Sequence, residues 1–126
     1  MNVDIKLDKL KISTHCLFNN KFRNDAINII VDGNWGQIIK QEWYKGAYRC
    51  LTDTGLIFIV SPEKDKILTY YLARGSTAQG MFGNKAPSYL LKKISKNASK
   101  YTQLFEEKLT NSKLHEYKVK GIYYGR

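Results

Sequence analysis

His15 is one of two histidines in a chain of 126 residues, and it stands beside Cys16, one of two cysteines, in the stretch KISTHCLFNNKFRNDAINIIVDGNW. Such sparse use of both residue types narrows the chemistry. There is no CxxC, HxxxH or HExxH, so a zinc site has no ligand set and no metal is expected. GNWGQIIK and GSTAQGMFGNK combine glycines with a lysine but lack the GK[ST] ending that holds phosphate and magnesium, so ATP chemistry is not expected and no cofactor is implied. A thiol enzyme needs a base near its sulfur, and a helix turns adjacent side chains such as His15 and Cys16 about 100° apart. The acidic residues are scattered, which leaves a two-carboxylate hydrolase without support. What remains is chemistry that needs only a proton carrier and cations. Cleavage of RNA by its own 2′-hydroxyl is of that kind: a base, an acid and Arg or Lys to hold the charge on phosphorus suffice. Histidine suits the acid/base work because its ordinary pKa lies near neutrality.

The elements that must position such groups are legible in outline. Residues 5 to 12, IKLDKLKI, suit a short extended or edge segment with its lysines outward. Ser13 or Thr14 can cap a helix running through Phe22, and Asn24 or Asp25 can cap a second, AINIIV, that stops near Asp32 and Gly33. From Trp35 the segments QIIKQEWYK, AYRCLT, LIFIVS and KILTYYLA are rich in β-branched and aromatic residues, separated by KG, DTG and PEKD. Short turns make consecutive strands antiparallel neighbours. The fold class expected is therefore α+β, a four-stranded antiparallel sheet covered on one face by the N-terminal helices, with LIFIV as a central strand buried on both faces. GSTAQGMFGN, with three glycines, is expected as a loop. Pro87 then opens a basic C-terminal helix in which Leu90, Leu91, Ile94, Ala98, Tyr101, Leu104, Phe105 and Leu109 recur at helical spacing, with Asn97 a point where it can break. A final short strand across residues 114 to 122 would complete the chain.

The length suits one domain over residues 1 to 126. No apolar run approaches the roughly 18 residues of a membrane span, and the N-terminus has no signal-peptide pattern, so a cytoplasmic protein with thiol cysteines is expected. The net charge of +10 is unevenly placed: up to Ala73 there are 10 Lys/Arg against 8 Asp/Glu, whereas from Arg74 onward there are 11 against 3. A local positive field attracts polyanions by counterion release, which makes nucleic acid the leading partner class. Lys92, Lys93, Lys96 and Lys100, largely on the outer face of the basic helix, are the expected backbone contacts.

The order of these elements resembles the small nucleases of the barnase/EndoU/colicin/RelE (BECR) group, and especially their compact relatives in phages and mobile elements. A helix-opening histidine in KISTHCLFNNKFRNDAINIIVDG, basic residues in YKGAYRC and the strand pair GLIFIVSPEKDKILTYYLAR carry the resemblance, over residues 9 to about 74. Residues 75–126 then form a basic helical extension without a counterpart. Members of the group place N-terminal helices on a four-stranded antiparallel sheet, and many cleave RNA without metal. The resemblance implies a metal-independent endoribonuclease or toxin-like RNA-binding protein. Single-stranded RNA or a tRNA loop would be its substrate, because in-line attack needs a flexible phosphodiester. It implies His15 as general acid or base, Arg23 and Arg49 as phosphate-holding cations, and Thr69 as a residue that orients the histidine or binds a phosphate oxygen. Tyr71, two residues along a strand from Thr69, shares its face. Lys45 and Arg74 are further cations near this surface.

Each residue also has a structural reading. His15 can simply begin a helix, Arg23 and Arg49 can pair with Asp25, Glu42 or Asp53, and Thr69 and Tyr71 suit any strand. Trp35, Trp43, Tyr44, Tyr48 and Tyr70 suit packing, although exposed members can stack on unpaired bases. The rival functions are a nucleic-acid-binding module without catalysis and a phage inhibitor that binds a host protein. An antitoxin is a further possible partner, and no membrane partner is expected.

Overall fold

The computed structural model describes residues 3–19 and 21–108 of the chain. A 3-10 turn at Leu7–Lys9 leads into strand β1 (Lys11–Ile12), helices α1 (Thr14–Asn19) and α2 (Lys21–Ile30), strands β2 (Ile38–Tyr44), β3 (Ala47–Thr52), β4 (Leu56–Val60) and β5 (Lys66–Leu72), then helices α3 (Gly75–Met81) and α4 (Ser88–Lys108). The class is α+β. The four long strands fall where β-branched and aromatic runs place them, and each hairpin is antiparallel because its turn is too short for a crossover.

Three expectations about the sheet, its covering layers and the segment after it are corrected. The sheet has five strands in the order β1-β5-β4-β3-β2, and it is mixed, because β1 lies parallel to β5 with Lys11 opposite Lys66 and Ile12 opposite Ile67. A strand of two residues has no periodicity to read, and a partner 55 residues away leaves no local mark. The sheet is also covered on both faces. Cys16 and Ile27 of the N-terminal helices join Cys50, Phe58, Ile67 and Tyr70 in one core, whereas Leu90 and Ile94 of α4 join Leu51, Ile57, Ala73 and Ala78 in a second. The C-terminal helix is therefore part of the fold, an outer layer rather than an appended extension. Finally, Gly75–Met81 is helical where a loop was expected; only its Ala78 is buried, against the second core, and contact with α4 stabilises a segment of poor intrinsic propensity.

The first core is aromatic. Trp35, Phe58 and Tyr70 meet with ring centroids 5.2 Å apart in each pair, and Asn28 of α2 accepts from the Trp35 indole N–H at 2.9 Å. Burial raises the Tyr70 hydroxyl to about 12, so it stays protonated. The second core depends on the β3–β4 turn. Asn97 donates to the Thr54 carbonyl at 2.8 Å, and Gly55, at φ +88°, leaves room for it. Asn97 thus anchors α4 and does not break it. Helix α1 ends before Phe22, and α2 starts upstream of Asn24, which is buried inside it and donates to the Cys16 carbonyl at 2.9 Å; it joins the two helices instead of capping the second. The strand expected across residues 114 to 122 lies outside the described residues, as does His115.

Candidate functional site

Pairing across the sheet sets Thr69 opposite Ile59, Ile59 opposite Arg49 and Arg49 opposite Glu42, so one row crosses β5, β4, β3 and β2. Ile59, like Tyr71, packs against the second core, and alternation puts Thr69, Tyr71, Arg49 and Glu42 on the same face. All five side chains are only partly buried.

Arg23 reaches this face from α2, although Ile27 of the same helix packs in the opposite core. Its guanidinium donates to the Thr69 hydroxyl at 2.8 Å and lies 5.9 Å from the centre of the Tyr71 ring. Among the described residues it makes no ion pair, and its Nε is buried without a hydrogen-bond partner. Desolvation accordingly lowers its pKa from the usual arginine range, opposed only by phenols and a thiol, of which Tyr101 on α4 acts most strongly. No carboxylate among the described residues balances this charge.

Arg49 differs. Its guanidinium grips the Glu42 carboxylate through Nε at 2.8 Å and through Nη2, and it stacks on the Tyr44 ring with the cation 3.9 Å from the centroid. Its charge is compensated, so the pairing with Glu42 weighed as a structural reading is the one formed. Tyr71 stands between the two arginines: burial raises its hydroxyl pKa, while Arg49 and Arg23 both pull it down.

His15 lies exposed in the first turn of α1. Ser13 caps that helix, accepting from the Cys16 N–H at 3.1 Å, and its own N–H donates to the Ile67 carbonyl at 2.9 Å. The chain thus enters α1 beside β5, just past the Ile12 and Ile67 pair and approaching the level of Thr69. Lys45 sits exposed in the β2–β3 turn at φ +52°, its ammonium 5.0 Å from the Tyr44 ring centre. Arg74 flanks α3, exposed, and Lys92, Lys93, Lys96 and Lys100 are all exposed along α4. Cys16 and Cys50 are buried free thiols, and burial raises both, Cys50 to about 12.

Thus the structure gathers Arg23, Thr69 and Tyr71 directly and Arg49 along the row. Glu42 and Tyr44 were foreseen only as pairing or packing residues. Their place beside Arg49 is readable in hindsight, because the two-residue turn Lys45-Gly46 pairs residue 44 with 47 and residue 42 with 49. Tyr101 had no such signal, since only the docking of α4 brings it to Arg23. Among the described residues no group of three or more His, Cys, Asp or Glu side chains could hold a metal ion, and no helix is long and apolar enough to cross a membrane. Comparison of the chain with protein-family models, with curated proteins and with solved structures finds no match.

Proposed function

We propose that the protein binds the phosphodiester backbone of single-stranded RNA at Arg23, Thr69 and Tyr71, and that it cleaves the strand without a metal by attack of the 2′-hydroxyl. The observation that carries this reading is the state of Arg23: half-buried, oriented by Thr69, and free of any carboxylate among the described residues. A desolvated cation without a counter-charge is unfavourable in the empty site and becomes favourable when an anionic oxygen completes it. The exposed lysines of α4 supply the longer-range field that draws a polyanion. The resemblance to BECR nucleases supplies the reaction type.

In that reaction a base removes the 2′-hydroxyl proton, the oxygen attacks phosphorus, and the 5′-oxygen leaves with a proton, giving a 2′,3′-cyclic phosphate. His15, beside β5, is assigned to proton transfer, and Arg23 to the charge that grows on the phosphoryl oxygens. Arg49, neutralised by Glu42, holds the Tyr44 ring instead of adding charge. That same neutralisation favours a second reading, in which RNA is bound but not cut.

The test is end-labelled RNA of varied sequence incubated with the protein in excess EDTA, alongside His15→Ala and Arg23→Met. Cyclic-phosphate ends that vanish in His15→Ala, while that variant still binds, support the enzyme. RNA bound but intact supports the binding module. Absence of any salt-sensitive RNA binding sinks both.

A further inference from the structure

Strand β2 is one edge of the sheet, and among the described residues no strand pairs with its outer side. The hairpin fixes which of its backbone groups are left over. Lys45 and Gly46, at φ +52° and +84°, form a two-residue turn, and such a turn closes on a hydrogen-bonded pair, here Tyr44 with Ala47. Alternation then turns the N–H and C=O groups of Tyr44, Glu42 and Lys40 inward to β3, and those of Trp43 and Gln41 outward. Gln41 is held from the first-core face, where its side-chain carbonyl accepts from the Asp4 and Ile5 N–H groups at 3.1 Å each. Trp43, 57% exposed, is held by the edge-on contact of its ring with Tyr48 at 5.1 Å. An ordered strand with free outward groups is a template for another strand.

The side chains decide which strand it accepts. Lys40 and Glu42, opposite Leu51 and Arg49, share the second-core face. Lys40 makes no ion pair among the described residues, and its ammonium lies 4.8 Å from the centre of the Phe82 ring. Arg49 bonds a single oxygen of Glu42, Oε2, which leaves Oε1 to accept from another cation. A lysine and a bulge, here between Ile38 and Lys40, ordinarily deter pairing at an edge. A second β2 meets no such barrier in one register. Outward groups must meet outward groups, so antiparallel pairing of two copies has few settings. Those that place Lys40 on Lys40, or Glu42 on Glu42, oppose like charges, and Trp43 on Trp43 gives neither residue a charged partner. Gln41 on Gln41 sets Lys40 of each copy opposite Glu42 of the other.

We infer that two copies of the chain associate through their β2 edges, antiparallel about a twofold axis at Gln41, with reciprocal Lys40–Glu42 pairs across the joint. The two sheets then run on as one. The axis stands perpendicular to the sheet, so both Arg23 clusters lie on the same side, with the two β5 strands seven spacings, about 33 Å, apart. A seven-residue edge is small beside the roughly 800 Å² per partner of a tight interface, so association in about the micromolar range is expected. Lys40 thereby acts as a selector: it disfavours a strand without a carboxylate at the matching position and favours the chain's own.

The experiment is sedimentation equilibrium of the full chain from micromolar to millimolar concentration, in salt where a Debye length of about 8 Å screens the net positive charge. A monomer–dimer equilibrium is expected. Lys40→Glu and Glu42→Lys each oppose like charges at both ends of the joint, and each is expected to weaken association by roughly tenfold or more. Mixed in equal amounts, the two variants face each other with opposite charges at both positions and should regain wild-type association as a heterodimer, with circular dichroism as the check on folding. Hydrogen exchange of the wild type needs no substitution: the Gln41 and Trp43 amides should slow as the dimer forms, while those of Lys40 and Glu42 stay unchanged. A chain that is monomeric at millimolar concentration overturns the inference. So does a dimer in which the Gln41 and Trp43 amides exchange as in the monomer, or one that neither variant weakens, because its contact lies elsewhere. Variants that both fold, both lose association and do not recover it when mixed overturn the register.

Discussion

The Thr69 hydroxyl accepts a hydrogen bond from the Arg23 guanidinium at 2.8 Å, tying α2 to β5 across 46 residues of sequence. Because the donor is charged, such a bond contributes more than an average neutral one, about 1.5–3 kcal/mol. Thr69→Val keeps the shape and β-branching but removes the acceptor. It is expected to weaken RNA binding on the order of tenfold by releasing Arg23 from its orientation. Titration of labelled RNA, with circular dichroism as the check on folding, measures this; unchanged affinity would mean that Thr69 does not orient the guanidinium.

Arg23→Met separates stability from function. The methionine fills much of the same volume, and the variant no longer desolvates a charge that lacks a carboxylate. Thermal unfolding is expected near the wild-type midpoint, because the lost bond to Thr69 is offset by the desolvation no longer incurred, while RNA affinity falls at least tenfold. Polyphosphate should raise the wild-type midpoint more than that of the variant, which keeps the α4 lysines but lacks the Arg23 contact, since a ligand stabilises the protein in proportion to its binding. A strongly lowered midpoint would instead make Arg23 a structural residue.

Replacing Lys92, Lys93 and Lys96 together by glutamine tests the outer face of α4, where all three are exposed. Each phosphate neutralised on a single strand contributes about 0.7 to the slope of log K against log salt, so the slope should fall by up to about 2. Affinity measured at four or five salt concentrations gives the answer. An unchanged slope would place the RNA elsewhere.

Gly55 and Gly46 both have positive φ, at +88° and +84°, yet their surroundings differ. A Cβ at Gly55 would lie 3.0 Å from Asn97 Nδ2 and 3.2 Å from Ile94 Cγ1, whereas at Gly46 nothing lies within 4 Å. Gly46→Ala should lose only the backbone term, about 1 kcal/mol, and Gly55→Ala that term plus the disturbance of α4, about 2–3 kcal/mol in all. Urea denaturation of the two variants isolates the contribution of the α4 anchor; equal losses would deny it.

The N-terminal arm is pinned by Gln41, whose carbonyl accepts from the Asp4 and Ile5 N–H groups at 3.1 Å each, and by the Asp4–Lys64 ion pair at 2.6 Å. The hydrogen bond from Lys64 lowers the Asp4 pKa from 3.8, and the reciprocal bond raises Lys64 from 10.5. A depressed carboxylate contributes stability above its unfolded value that is lost as pH falls through the folded one. A raised ammonium contributes stability below its unfolded value that is lost as pH rises through the folded one. Asp4→Asn should therefore be less stable than wild type between about pH 5 and 9, with the gap closing in acid below the carboxylate range. Denaturation midpoints at pH 7 and pH 2.5 decide; a gap independent of pH would show that the charge of Asp4 plays no part. Both groups are exposed, so the effect is small and should shrink further in salt.

Much of this architecture is written locally. The runs IIKQEWY, AYRCLT, LIFIV and KILTYYL are strands because β-branched and aromatic side chains pack on a pleated surface, and the KG, DTG and PEKD turns make them antiparallel. Helix α4 was readable from Pro87 onward because Leu90 and Ile94 recur at the helical period and Lys92, Lys93 and Lys96 fall at the exposed positions around them. The sequence by itself thus determined the four long strands, their antiparallel order and the main helix of each end, because those properties depend on side chains a few residues apart, whereas Gly75–Met81, expected as a loop, is helical through its contact with α4. Only the tertiary structure decided that β1 runs parallel to β5, that α4 closes the second face, and that Arg49 is neutralised by Glu42 while Arg23 meets a threonine and a tyrosine but no carboxylate. The partner of a charge is set by which surfaces pack together across tens of residues, and no local pattern encodes that.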